Sequence, residues 1–341
     1  MRPVAECSIT EARNMNKRPW RNRLALAASL GTVSALALAG CSAPAGDAPA
    51  AEGEMQTVNV AVLPTSNMAA VYLGQEQGFF EDEGLELNMT TVGGGAEMIA
   101  GLQAGSFDFI VVGYVPLFAA AANGLPLEII AANDVGGATV DEEWQALLVG
   151  ADSPAQTAED LEGATIGVNA LKGVAEATIR ASLQQQGVDD TTVEFVEIPF
   201  SEVPASLANG TVDAAFGSEP FITATLGDGG RIIDTPSYNL GANFPNGAWA
   251  TSPAIIEENP DLAERFTSAV VESVEYAAEN DDAVRAILPT YTALTPELAN
   301  QIRLPIFRSE LDRKQLDTLV DILVEFGVVS SAPDLDELIR G

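Results

Sequence analysis

From residue 58 onward apolar and polar positions fall into a regular pattern. Val58, Val60 and Val62 alternate with Asn59 and Ala61, the two-residue period of a half-buried strand. Pro64-Thr65-Ser66-Asn67 interrupts the run. Residues 68–77 then place Ala69, Tyr72 and Leu73 on one helical face, and Gly78 is a natural stop. Ser66 or Asn67 is suited to cap that helix, because its side-chain oxygen can accept an orphan backbone N–H. A strand over 85–91, the Gly93-Gly94-Gly95 loop, a helix over 96–104 and Gly105-Ser106-Phe107-Asp108 before a third strand complete a βαβαβ unit.

The unit recurs. Residues 165–168 read as a strand, 169–173 as a loop and 174–186 as a helix closed by Gly187. A strand over 193–198, a loop at Phe200-Ser201, a helix over 203–208 and Gly210-Thr211-Val212-Asp213 follow. Val60 to Asp108 spans 48 residues and Ile166 to Asp213 spans 47. Two such units predict an α/β protein of two lobes, each with a central sheet flanked by helices. Loops at the strand ends would face a cleft between the lobes, since open α/β sheets bind ligands beyond the carboxyl ends of their strands.

Between the units, residues 107–112 read as a buried strand followed by Gly113-Tyr114 and a helix over 115–122. Residues 127–132 read as a strand, 133–137 as a loop, 144–149 as extended, and 152–157 as the passage into the second lobe. After 231–234 comes a loop over 237–245 and a return over 248–251. Beyond Pro260 the chain reads as helical, with Leu262, Phe266, Val270 and Val274 forming a buried stripe; these helices are expected to pack on lobe one and carry no site. The expected division is 57–152 for the first part of lobe one, 153–240 for lobe two and 241–341 for the return.

The N-terminus follows a different pattern. Lys17, Arg18, Arg21 and Arg23 precede an Ala-rich apolar run over 24–38, the layout of a secretory signal over 1–40. Leu38-Ala39-Gly40-Cys41 resembles a bacterial lipobox, which implies lipidation at Cys41. The acidic residues before Met15 fit a signal poorly, so translation is expected to start at Met15. Residues 41–56 are small, Pro-containing and poor in bulky apolar groups, as in a flexible tether. The expected location is the outer face of the cell membrane, held by lipid.

Composition narrows the chemistry. The chain has 16 Lys and Arg against 49 Asp and Glu, a formal net charge of -33. Residues 1–40 hold six basic and two acidic residues, so the remainder has 10 basic and 47 acidic. Nucleic-acid binding needs a basic footprint and is excluded. The acidity suits a solvated, self-repelling surface or a high-salt environment. Histidine is absent, and both cysteines, Cys7 and Cys41, precede residue 57. The usual nucleophile–base pairs and most transition-metal sites are therefore missing, and neither an enzyme nor a cofactor or metal is expected.

The ordered set of residues 69–80, Gly84-Leu85, Gly93–Ala96, Gly105–Asp108, 161–168, 207–213 and Glu219-Pro220 resembles the nitrate/sulfonate/taurine class of ABC-transporter substrate-binding proteins. The resemblance runs from about Val58 to Arg308. It implies a type II periplasmic-binding-protein-like fold that closes on a small solute and delivers it to a membrane permease driven by ATPase subunits. The candidate ligand residues are Thr65, Ser66 and Asn67 in the first loop; Gly94 and Gly95; Gly113 and Tyr114; Asn169, Leu171 and Lys172; Glu219, which matches the family's Glu-Pro; and Trp249. Lys172, with two helix N-termini, suits a sulfonate, taurine or nitrate anion. Tyr114, Trp144 and Trp249 suit instead a neutral heteroaromatic such as a thiamine-pyrimidine or riboflavin precursor. A pyrimidine-precursor enzyme and a sensor lipoprotein on the same fold are further alternatives.

Overall fold

The computed structural model describes residues 55–340. The expected signal peptide, the lipidation site at Cys41 and nearly all of the tether lie outside the described residues. Among the described residues eleven strands form two sheets. The first contains β1 (Gln56–Val62), β2 (Leu85–Thr91), β3 (Phe109–Gly113), β4 (Glu128–Val135), β10 (Pro245–Thr251) and β11 (Ile306–Phe307), in the order β11-β4-β10-β3-β1-β2. The second contains β5 (Gln145–Val149), β6 (Thr165–Val168), β7 (Glu194–Glu197), β8 (Ala214–Ser218) and β9 (Arg231–Asp234), in the order β7-β6-β8-β5-β9.

The internal repeat in the sequence is a repeat in space. β1 lies parallel between β2 and β3, and β6 lies parallel between β7 and β8. In both sheets the next strand is antiparallel: β10 beside β3 and β5 beside β8. The Gly-x-x-Asp motif performs the same local task twice. Gly105 (φ 70°) and Gly210 (φ 66°) take the left-handed turn that only glycine adopts cheaply. The Asp108 carboxylate then accepts from Asn59 N–H at 2.7 Å, and the Asp213 carboxylate accepts from Thr165 N–H at 2.8 Å. Each aspartate thus satisfies a backbone donor at its strand's edge.

Two differences from the sequence reading matter for the cleft. The 144–149 segment, expected in lobe one, is β5 of the second sheet, so the chain leaves the first sheet after Val135 rather than near residue 152. And β4 continues through Asn133 and Asp134, which read as a loop. They stay extended because β11 pairs with them, Phe307 opposite Asp134 and Ile306 opposite Val135, and because β10 runs along their other side. Asn and Asp disfavour strands by competing for backbone hydrogen bonds. Here their side chains are engaged elsewhere, as described below.

The first lobe's core gathers on helix Pro260–Glu279, whose predicted stripe of Leu262, Phe266, Val270 and Val274 is buried. Phe266 stacks on Phe109 of β3 at 3.7 Å between ring centroids and meets Phe80 and Trp249 at 5.7 and 5.6 Å. Trp249 is fully buried in this cluster. Its indole therefore helps lock β10 to the core and does not line the cleft.

Candidate functional site

A cavity of about 270 Å³ lies between the two sheets. Leu63, Val111, Val115 and Pro116 line it from the first lobe, and Trp144, Leu171, Phe200 and Phe216 from the second. This is the strand-end position that the sequence pattern implied, and its walls are mostly apolar and aromatic, as small-molecule sites commonly are.

Seven of the twelve expected residues line this cavity: Thr65, Asn67, Gly95, Gly113, Asn169, Leu171 and Lys172. Five do not. Ser66 is buried, and its hydroxyl donates to the Glu219 carbonyl at 3.4 Å, tying the first loop to the second lobe. Gly94 precedes the helix Gly95–Gln103, and its carbonyl accepts from Glu97 and Met98 N–H. Tyr114 packs under its own helix against Phe118. Trp249 stands behind the sheet. Glu219 is fully buried at the Glu219–Pro220 cis peptide, where its carboxylate accepts from Thr223 N–H and hydroxyl at 3.0 Å and from Arg303 N–H at 3.2 Å, with the Arg303 guanidinium at 3.9 Å. Burial raises the Glu219 carboxyl pKa against the pull of these partners. Gly95 lines the cavity, but its lack of a side chain serves packing: a Cβ there would sit 2.8 Å from Val112 and 2.9 Å from Pro116.

The C-terminal segment, expected to be remote from any site, reaches the junction of the lobes. Tyr291 stacks on Tyr72 at 4.0 Å and donates to the Thr65 carbonyl at 3.2 Å. Arg303 joins the Glu219 carboxylate to the Asp141 carbonyl, the latter at 3.1 Å, so it touches both the second lobe and the connection between β4 and β5.

Lys172 is the one basic residue lining the cavity. It sits in the left-handed region at φ 53° in the loop before helix Val174–Gln185. Its backbone N–H is held by the Glu176 carboxylate at 2.8 Å. The other lobe has the same arrangement: the Glu97 carboxylate holds Gly93 N–H at 2.8 Å. Both helix starts thus carry a carboxylate of their own four residues on, which offsets part of the positive field that an anion would use.

Sequence reasoning missed a buried polar cluster beneath the floor. Asp134 is fully buried. Its carboxylate accepts from Asn133 Nδ2 at 2.7 Å, Asn67 Nδ2 at 3.1 Å and Asn246 Nδ2 at 2.6 Å. Trp249 Nε1 donates to Asn133 Oδ1 at 3.0 Å, and Thr65 Oγ1 donates to Asn67 Oδ1 at 2.8 Å. Gly247 makes room: a Cβ there would lie 2.6 Å from Asp134 Oδ1. Burial raises the Asp134 carboxyl to about 6, with the three amides working in the opposite direction. Glu143, buried at the crossing, is also raised by burial although its carboxylate accepts from Gly137 and Gln145 N–H at 3.0 and 3.1 Å. The Asn-Asp pair looked like turn chemistry; two successive polar residues directly after the apolar run Ile129–Ala132 were the available signal.

Residues 65–284 match the family described as NMT1/THI5 like. The riboflavin-binding protein RibY of Chloroflexus aurantiacus is 24% identical over 273 residues, covering 74% of each chain. The taurine-binding periplasmic protein of Escherichia coli is 23% identical over 231 residues, covering 67% of this chain and 69% of that one. Among solved structures, the periplasmic nitrate-binding protein NrtA of Synechocystis superposes with a TM-score of 0.73 at 16% identity, over 84% of this chain and 86% of that one. With a two-lobed α/β architecture, a cleft at the strand ends and a family match across most of both lobes, the chain belongs to the NMT1/THI5-like family and has its periplasmic-binding-protein fold.

Proposed function

We propose that this protein is the solute-binding component of an ABC importer, closing its two lobes on a small organic solute and presenting it to a membrane permease. The observation that carries the reading is the interlobe cavity, lined from both sheets and flanked by the two chain crossings that would act as hinges. The ligand bridges the lobes and shifts the population toward the closed form. Energy comes from partner ATPase subunits. No catalytic role is assigned to the cleft, whose lining holds neither histidine nor cysteine. Lipid at Cys41 would hold the protein at the outer face of the membrane.

For the ligand we favour a sulfonate or taurine-like anion with an apolar body, its head at Lys172 and its body against Val111, Val115 and Pro116. The taurine-binding relative supports this reading. A neutral heteroaromatic is the second reading. It is favoured by Trp144, Phe200 and Phe216 in the walls, by the carboxylates already at both helix starts, and by the riboflavin-binding relative.

Thermal melts against ethanesulfonate, taurine, nitrate, uracil and riboflavin test both. A ligand at a hundred times its Kd adds about 2.7 kcal/mol, a readily seen shift. An anion that stabilises the wild type but not Lys172→Ala supports the first reading. Stabilisation only by uracil or riboflavin supports the second. No shift with any of the five refutes the proposed ligand classes.

A further inference from the structure

The polar cluster under the floor has a direction. Asp134 is the penultimate residue of β4, just before the chain leaves the first sheet. Among the described residues no cation pairs with it; its three partners are side-chain amides. A carboxylate can only accept, so each amide must turn its NH2 toward it. Trp249 fixes the same sense from behind, because an indole N–H can only donate and it holds Asn133 Oδ1.

The consequence reaches the cavity through two lining residues. Asn246 gives one N–H of its amide to Asp134 at 2.6 Å, which orients the group and leaves Oδ1 without a protein donor, beside the second N–H. Asn67 gives its NH2 to Asp134 and takes the Thr65 hydroxyl hydrogen on Oδ1, which leaves Thr65 Oγ1 with lone pairs only. At both ends of the network an acceptor oxygen, Thr65 Oγ1 and Asn246 Oδ1, is held in a fixed sense, and of the two only the Thr65 hydroxyl has no hydrogen left to donate.

We propose that Asp134 is a positioning residue that sets the hydrogen-bond polarity of the cleft: by drawing the amides of Asn67 and Asn246 onto its carboxylate, it makes the lobe-one floor an acceptor surface that takes the N–H end of the solute. The ligand then spans the cleft with a fixed polarity, its amine or imide N–H on lobe one and its acceptor or anionic end on the Lys172 loop. This rests on the solute-binding reading of the cleft and adds an orientation to it. It also selects within the proposed ligand classes, favouring an aminosulfonate over a plain sulfonate and an imide-bearing ring over its N-alkylated form.

Paired probes test it: taurine against ethanesulfonate, and riboflavin against N3-methylriboflavin, each measured by calorimetry on the wild type, Asp134→Asn and Asn246→Leu. The wild type is expected to favour the N–H-bearing member of the binding pair by about tenfold, the worth of one well-made hydrogen bond. Asp134→Asn, in which a neighbouring amide must turn round, should reduce the preference below about threefold. Asn246→Leu, which deletes the acceptor, should do the same if Asp134→Asn fails to fold. Equal affinity for both members in the wild type, or an undiminished preference in the variants, overturns the proposal.

A ligand-independent arm separates this from failure of the solute reading. In 15N-labelled wild type the Asn67 and Asn246 side-chain NH2 protons should exchange at least about ten times more slowly than those of exposed asparagines, because a carboxylate holds them. If neither probe pair binds, the proposed ligand classes fail, while slow exchange at both amides upholds the acceptor floor. Exchange at the rate of an exposed asparagine at Asn246 overturns it whatever binds.

Discussion

The buried carboxyl of Asp134 makes a quantitative prediction about stability and pH. Its folded-state pKa is raised from 3.8 to about 6, by burial against the pull of three amides. Below about pH 3 the group is protonated in both states and its stabilisation, relative to neutral pH, is at its full value. As pH rises the unfolded chain releases this proton first, while the folded protein keeps it until about pH 6. The folded state binds more protons across that window, so unfolding free energy falls with pH there. A shift of roughly two units corresponds to about 3 kcal/mol of stability, fully present below about pH 3 and fully lost above about pH 7. Asp134→Asn removes the titration. Glu143 and Glu219 are raised in the same direction, but they remain in both proteins and largely cancel in the difference. The assay is urea unfolding of wild type and variant from pH 4 to 7.5, read as the difference in unfolding free energy at each pH. Relative to the variant, the wild type should lose about 2.5 kcal/mol between the ends of the range. A difference constant to within about 0.5 kcal/mol would show that the carboxyl titrates normally and would refute the reasoning.

Gly247→Ala places a Cβ 2.6 Å from Asp134 Oδ1 and should cost about 1–3 kcal/mol in denaturant melts, because neither β10 nor the carboxylate can move without breaking the floor network. Phe266→Ala empties the space between Phe109, Phe80 and Trp249 and should cost about 3–5 kcal/mol by the same measurement, while leaving the second lobe's packing intact. Glu176→Gln removes the carboxylate that holds Lys172 N–H, and should tighten ethanesulfonate binding by about two- to fivefold in calorimetry if the anion head rests there. Lys172→Ala should abolish the same binding.

Local pattern accounts for most of the architecture. The alternation at Val58–Val62, the glycine stops and the recurring Gly-x-x-Asp are nearest-neighbour signals, and each encodes a local event: a strand, a helix end, or a carboxylate meeting a backbone donor at a strand edge. Because these events repeat at nearly equal spacing, the two-lobed plan and the position of the cleft loops at Thr65, Asn67 and Asn169–Lys172 could be read without coordinates. Tyr114, Glu219 and Trp249 could not be placed that way. Tyr114 and Glu219 directly follow strands and Trp249 lies within β10, but whether each side chain faces the cleft or the core depends on strand register and on what packs behind, such as Phe118, Arg303 and Phe266.

Tertiary structure alone decided where the chain changes sheets and what the floor is made of. Apolar runs such as Gln145–Val149 are compatible with either sheet, and only pairing with β8 and β9 assigns this one to the second lobe. Asn67, Asn133, Asp134 and Asn246 come from three distant parts of the sequence, and each reads singly as turn or cap chemistry. Burial removes water as a partner, so these groups must satisfy one another; that requirement, which arises only when β4 and β10 lie side by side, turns four ordinary polar residues into one oriented network.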